Sequence, residues 1–197
     1  MILFCGILSE TPIVMVCDHL DKIGVPYVMF NQRNFMNMDI NFEIKDNLVF
    51  GLLNIGGKSY RLEDFQGVYT RLMDTQFLPE IKNETINSSK RKYCRALHDT
   101  LMQWYEISPA RVVNRTAPMA SNFSKPYQAQ LIIKHGFATP PTLITNIPEL
   151  VFDFYQVHQR VIYKSISGTR SIVQTLNKED LERLDHIRWC PTQFQKY

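Results

Sequence analysis

The stretch that most restricts the fold is the first thirty residues. Ile2 to Leu8 is a continuous apolar run, broken by Ser9 and Glu10. A short unbroken run of this kind reads as a strand buried on both faces. Pro12 then suits the first turn of a helix, where a missing N–H costs nothing. Ile13, Val16, Cys17 and Leu20 recur at helical spacing, and Gly24 ends that segment. Val25 to Phe30 reads as a second strand. Two strands joined through a helix run parallel, because a tight hairpin cannot join parallel neighbours. The chain is therefore α/β from its first residues.

The rest of the first half adds detail. Asn31 to Asn41 is polar and rich in asparagine and methionine, and reads as a loop or irregular segment. Asn47 to Leu53 and Lys58 to Leu62 flank Gly56-Gly57, which predicts a hairpin. Val68 to Leu72 is a short strand ending in Arg71. That arginine is read either as a salt-bridge partner or as an anion contact at a strand end. Ser88 to Ile107 carries the longest helical pattern, with Tyr93, Leu97, Leu101 and Tyr105 as its stripe. Twenty residues make a helix of roughly 30 Å. Pro109 stops it, and Val112-Val113-Asn114 is a very short strand.

Composition changes after Asn114. Ser124 to His135 is a predicted helix, with Ser124 as cap, Pro126 in the first turn, and Ala129, Ile132 and Ile133 on its apolar side. Gly136 is its C-cap. A strand follows in ATPPTLIT. Asn146 is the expected cap of a helix from Ile147 to about Val157. Arg160 to Lys164 is the next strand, with Ile172 to Thr175 paired back against it and Gly168 between them. Lys178 to Leu184 is a short helix or turn.

At 197 residues with 45% hydrophobic content the chain can bury a real core. Its net charge of +3 neither demands nucleic acid nor excludes an anionic ligand. The basic run Lys90-Arg91-Lys92, with Arg95, reads as solvated helix surface. Cys5, Cys17, Cys94 and Cys190 lack CxxC spacing, so buried free thiols in a reducing compartment are expected. The five histidines show no metal spacing. The start MILFCGILSE lacks the basic flank of a signal peptide, and its apolar run is too short to span a bilayer. A cytoplasmic location follows, with neither nucleic acid nor membrane as partner.

Familiar nucleotide motifs are missing: there is no GxxxxGK[ST], and the position after the first strand reads CGILSE rather than GxGxxG. Two lysines stand out instead. Lys125 opens a helix, where unpaired backbone N–H groups suit phosphate oxygens. Lys164 ends an extended run beside SISG, where it can meet a phosphate as a point charge.

The segment VVNRTAPMASNFSKPYQAQLIIKHGFATPPTLITNIPELVFDFY, followed by VIYKSISG and PTQFQKY, resembles the ATP-grasp enzymes. It is most similar to the microviridin-type ligases, which modify ribosomal peptides. The earlier ILFCGI and GVYTR resemble their pre-ATP-grasp domain. The resemblance implies an α/β fold with a parallel-sheet pre-ATP-grasp-like domain over 1–113, then an α+β small lobe over 114–197 ending at the hinge. It also implies that Lys125 and Lys164 contact ATP phosphates or the nucleotide, and that Phe194, Gln195, Lys196 and Tyr197 form the hinge against adenine. Ser165 replaces the proline usual after the strand lysine, and Lys196 replaces the usual hinge acid.

The large lobe that would carry the magnesium ligands has no counterpart in this sequence. Three readings follow. One is a truncated or split ATP-grasp protein, inactive alone, that binds a precursor peptide or a partner ligase. Another is half of an ATP- and magnesium-dependent ligase completed elsewhere. The third is an interaction module without ligand chemistry. A lone small lobe is also expected to expose an apolar patch around Arg160 to Lys164 and Phe194, favouring a homodimer.

Overall fold

The computed structural model describes residues 1–166 and 172–197. Gly168 lies outside the described residues. The chain forms two compact units, Met1–Pro118 and Met119–Tyr197.

The first unit begins with β1 (Ile2–Gly6), α1 (Thr11–Lys22) and β2 (Tyr27–Asn31). β1 and β2 pair in parallel, as the strand–helix–strand spacing requires. The antiparallel β3 (Met38–Lys45), β4 (Leu48–Ile55) and β5 (Lys58–Arg61) follow. The chain then returns through β6 (Gly67–Thr70), a single turn α2 (Pro79–Lys82), the long α3 (Ser89–Ile107) and β7 (Arg111–Val113). The strand order is β2-β1-β6-β7, all parallel.

Both faces of this sheet are covered, as a parallel sheet demands. Phe4 points to one side, where Ile13, Cys17 and Leu20 of α1 meet it. Leu3 and Cys5 point to the other, into a larger core with Leu97, Leu101, Trp104 and Tyr105 of α3. Val16 departs from the expected stripe of α1 and is 36% exposed. Ser88 caps α3 by accepting from Arg91 N at 3.1 Å. Tyr93 is on the stripe but half-exposed, while Cys94 takes a buried place beside it.

The expected irregular segment holds only in part. A 3-10 turn occupies Gln32–Asn37, but β3 begins at Met38. MDINFEIK alternates apolar and polar residues without a break, the pattern of a half-buried strand. Asp46 and Asn47 both have positive φ, 51° and 62°, and close a two-residue hairpin to β4.

A short α4 (Thr116–Met119) leads to the second unit. Just before it, the Arg115 guanidinium donates to the carbonyl oxygens of Tyr105, Glu106, Ser108 and Ala110. These bonds hold the residues after Asn114 against the end of α3.

The second unit contains α5 (Lys125–Lys134), β8 (Thr142–Thr145), α6 (Pro148–His158), β9 (Val161–Ser165), β10 (Gln174–Thr175), α7 (Lys178–Glu182) and β11 (Thr192–Lys196). The strand order is β10-β9-β11-β8, and β11 runs antiparallel to both of its neighbours. The last strand in sequence is thus an inner strand of the sheet. Asn177 and Asp180 form a capping box at α7.

Two cap and burial expectations change here. Asn146 does not cap α6; its Nδ2 donates to Arg188 O at 3.2 Å, and Ile147 occupies the cap position. α5 is capped by Ser124 and ends at Gly136, with φ +80°, but buries none of its residues. Phe194 is not part of an exposed patch. It is 1% exposed, packed with Val151, Val161, Leu176 and Leu184.

Candidate functional site

Strand register decides which residues of the second unit share a face. Opposite residues of an antiparallel pair lie on one side of the sheet, and neighbours along a strand alternate. Gln193 stands opposite Lys164 on β9 and opposite Ile144 on β8. Gln195 stands opposite Ile162 and Thr142. Two rows therefore share one face: Lys164–Gln193–Ile144, then Ile162–Gln195–Thr142. The intervening Phe194, Tyr163 and Leu143 supply the other face, which is the apolar core.

The polar face is occupied by groups that are costly to hold there. Lys164 is partly desolvated, and its pKa is pushed down, first by burial and then by the positive charge of Lys125. Lys164 thus lies within the field of Lys125, the first residue of α5, although 38 residues separate them in sequence. Gln195 is 9% exposed, and its Nε2 donates to Thr142 Oγ1 at 3.0 Å. Gln193 is 2% exposed, and its Oε1 has no hydrogen-bond partner. Leaving such an oxygen buried and unpaired costs about 1–3 kcal/mol.

Lys164 and Gln195 therefore share one face of the second sheet, on neighbouring rows. Lys196 does not join them, because alternation along β11 sends its side chain to the opposite side from Gln195, and it is exposed. Its backbone N–H donates to Pro141 O at 3.1 Å. Tyr197 lies under the Arg160 guanidinium, 4.1 Å from ring centroid to Cζ. Gln193 was not among the sequence-predicted site residues. The alternation in TQFQK marks it as facing the same way as Gln195, but only the pairing with β9 sets it against Lys164.

Arg71 and the basic run of α3 have local partners. Arg71 pairs with Glu10 at 2.9 Å, which raises its pKa and satisfies the salt-bridge reading. Lys90 meets Glu84 at 3.3 Å, Arg91 donates to the carbonyls of Ile81 and Glu84, and Arg95 pairs with Asp99 at 3.5 Å. The basic run is therefore spread over local contacts rather than gathered on one face. Cys5, Cys17 and Cys94 are buried free thiols, while Cys190 is exposed.

On the core side of the second sheet a cleft of about 230 Å³ opens between Tyr163, Asp180, Arg183, His186 and Thr192. It is separated from the lysines by the thickness of the sheet. Among the described residues, no three His, Cys, Asp or Glu side chains come together as a metal-binding group. A divalent cation has no fit on this set of donors. What this face offers instead is positive charge, at Lys164 within the field of Lys125.

No family model matches the chain, and no curated protein does. Solved structures do. An ATP-grasp ligase from Chryseobacterium gregarium, associated with ribosomally made modified peptides and bound to ADP with a leader and core peptide, matches 99% of this chain at 25% identity and a TM-score of 0.76. The fold is that of the peptide-modifying ATP-grasp ligases. The macrocyclase MdnC from Microcystis aeruginosa, bound with its precursor peptide MdnA, matches this chain over 100% of its length at 19% identity and a TM-score of 0.75. The ATP-grasp ligase PsnB, with a minimal precursor, Mg and ADP, matches 100% at 23% identity and a TM-score of 0.73. The chain spans 62%, 68% and 63% of the lengths of those three structures, in the same order. Among its described residues no helix is long and apolar enough to cross a membrane.

Proposed function

We propose that this chain supplies one wall of an ATP-grasp nucleotide site, with residues 1–113 acting as the pre-ATP-grasp domain and residues 114–197 as the small lobe. The observation that supports it most directly is Lys164 on the polar face of the second sheet, opposite Gln193, partly desolvated and within the field of Lys125. In this reading both ammonium groups hold the phosphates of ATP, and Gln195 with the β11 backbone borders the base. The residue at the hinge acid's position, Lys196, contributes through its backbone alone.

On this reading the chain does not carry out ligation by itself. Phosphoryl transfer to a carboxylate develops charge that carboxylate-held magnesium neutralises, and two lysines do not replace that site. ATP, when bound and completed by such a site, supplies the phosphoryl group that activates a peptide carboxylate for attack by an amine or hydroxyl. The metal-holding residues then belong to another region or a partner chain. The peptide ligands of the matched structures support a precursor peptide as partner, and the cleft at Tyr163, Asp180 and Arg183 is the concave surface we assign to it.

Calorimetric titration of the chain with an ATP analogue and magnesium tests the nucleotide reading. Binding is expected for the unmodified chain and is expected to be lost in a Lys125→Ala, Lys164→Ala double variant that remains folded by circular dichroism. Equal binding by both proteins would take the nucleotide away from these two lysines, and none by either would replace the nucleotide wall with a plain interaction module.

A further inference from the structure

Among the described residues, six strands lie at the edges of sheets. Five of them, β2, β5, β7, β8 and β10, have five residues or fewer. β3 is the exception, with eight residues, Met38–Lys45, paired to β4 without a bulge. Shortness, proline and bulges protect an edge from pairing with another chain, and β3 has none of them. Charge is the remaining safeguard, and here it is arranged to fit rather than to repel.

Two bonds show which backbone groups face the open edge. Asn37 O accepts from Gly56 N at 2.9 Å, on the side of β4. Met38 O accepts from Tyr93 Oη at 2.5 Å, on the outer side. Neighbours along a strand alternate, so Ile40, Phe42 and Ile44 direct their N–H and C=O groups outward as Met38 does. Among the described residues no group outside the strand ladder bonds to them.

The sequence MDINFEIK is close to its own complement when laid antiparallel on a second copy. A two-fold axis at Phe42 sets Phe42 against Phe42, Ile40 against Ile44, Asn41 against Glu43 and Asp39 against Lys45. The outward residues then stand opposite each other, where both backbone bonds are exchanged. Ile44, which is 64% exposed, gains an apolar neighbour. Asp39 and Lys45 meet twice as opposite charges, once at each end. Slipping one copy by two residues either sets Asp39 against Glu43 or sets Glu43 against itself. Only the Phe42-centred register is free of such repulsion.

We infer that β3 is a self-association edge: two copies of this chain pair their β3 strands antiparallel about Phe42 and join two three-stranded sheets into one of six strands. Such a contact is isologous and closes at two copies. It is independent of the nucleotide reading, and it lies in the first unit rather than at Arg160 to Lys164. Eight residues of strand run about 27 Å. Edge pairing buries little beyond that length, which places the contact in the small, reversible class.

The test is sedimentation of the full chain over a wide concentration range, with residue-resolved amide exchange at the two extremes. The unmodified chain is expected to pass from monomer to dimer, with protection of the Ile40, Phe42 and Ile44 amides rising in step. Ile44→Pro removes an outward N–H that β4 does not use, and proline is tolerated at such an edge position. It is expected to be monomeric throughout, with an unaltered circular dichroism spectrum. Lys45→Asp sets like charges opposite each other at both ends and is expected to weaken the dimer by about tenfold. The double variant Asp39→Lys, Lys45→Asp restores the opposition and is expected to return to within about threefold of the unmodified chain. The charge variants carry the test if the proline variant fails to fold.

A chain that stays monomeric at every concentration would overturn the inference. So would a dimer whose edge amides exchange as fast as the monomer's, which would place the contact on a sheet face. A dimer that survives Ile44→Pro, or a double variant no tighter than Lys45→Asp alone, would also overturn it. Protection of the edge amides without dimerisation would give the edge to another occupant and overturn the pairing of copies.

Discussion

Among the described residues, the two four-stranded sheets use their faces differently. The first, parallel and sandwiched between α1 and α3, buries apolar side chains on both sides. The second buries apolar side chains on one side and two glutamines on the other, next to a desolvated lysine. Unpaired buried atoms exist in the first unit too, at Glu80 Oε2 and Arg91 Nε. Each of those groups is anchored through another atom, Glu80 by Arg33 at 2.6 Å and Arg91 by two carbonyl oxygens. The carboxamide oxygen of Gln193 has no such alternative. The first sheet is apolar on both faces, whereas the second keeps a polar face that carries an unpaired buried oxygen.

The helices repeat the contrast. α3 buries Cys94, Leu97, Leu101, Trp104 and Tyr105, while α5 buries nothing. Trp104→Ala should therefore give the largest effect, a loss of about 3–5 kcal/mol in urea denaturation. A loss under about 1 kcal/mol would mean that the first unit is not the stable half.

The pH dependence gives the next effect in size. Lys164 has a lower pKa folded than unfolded, so above its folded pKa the unfolded chain binds more protons. Stability contributed by this site should then rise as pH climbs from the folded pKa towards the ordinary lysine value, and the penalty is fully present below it. Denaturation profiles across the alkaline range should show this rise, and Lys164→Met should flatten it. An unchanged profile in the variant would place the desolvation elsewhere. The smallest effect is expected at Ile133→Ser on the exposed side of α5, which is 60% exposed, with a change within about 0.5 kcal/mol. A larger loss would show that α5 is covered after all.

Much of the first unit was legible because its signals are local. The apolar run at Ile2, the proline at the start of α1 and Gly24 each act within one turn or one strand. β3 shows the limit of that reading. MDINFEIK carries a clear period of two, but Asn41 and the asparagines and methionines just before it suggested a loop. The turn at Asp46-Asn47 needed both residues in the left-handed region, which those types accept at lower cost than most.

Lys125 and Lys164 were also legible, one from a helix start and one from a strand end. That Lys164 lies within the field of Lys125 was not, because nothing local links residues so far apart. Phe194 was expected at an exposed edge, and it became core because β11 inserts between β8 and β9. Gln193 passed unnoticed for the same reason. By itself the sequence determined which segments become helices and strands, since backbone conformation follows near neighbours. The tertiary structure decided which strand lies between which, and with it which side chains share a face. Pairing between distant strands is set by the burial of whole apolar surfaces, so one register placed Phe194 in the core and Gln193 beside Lys164.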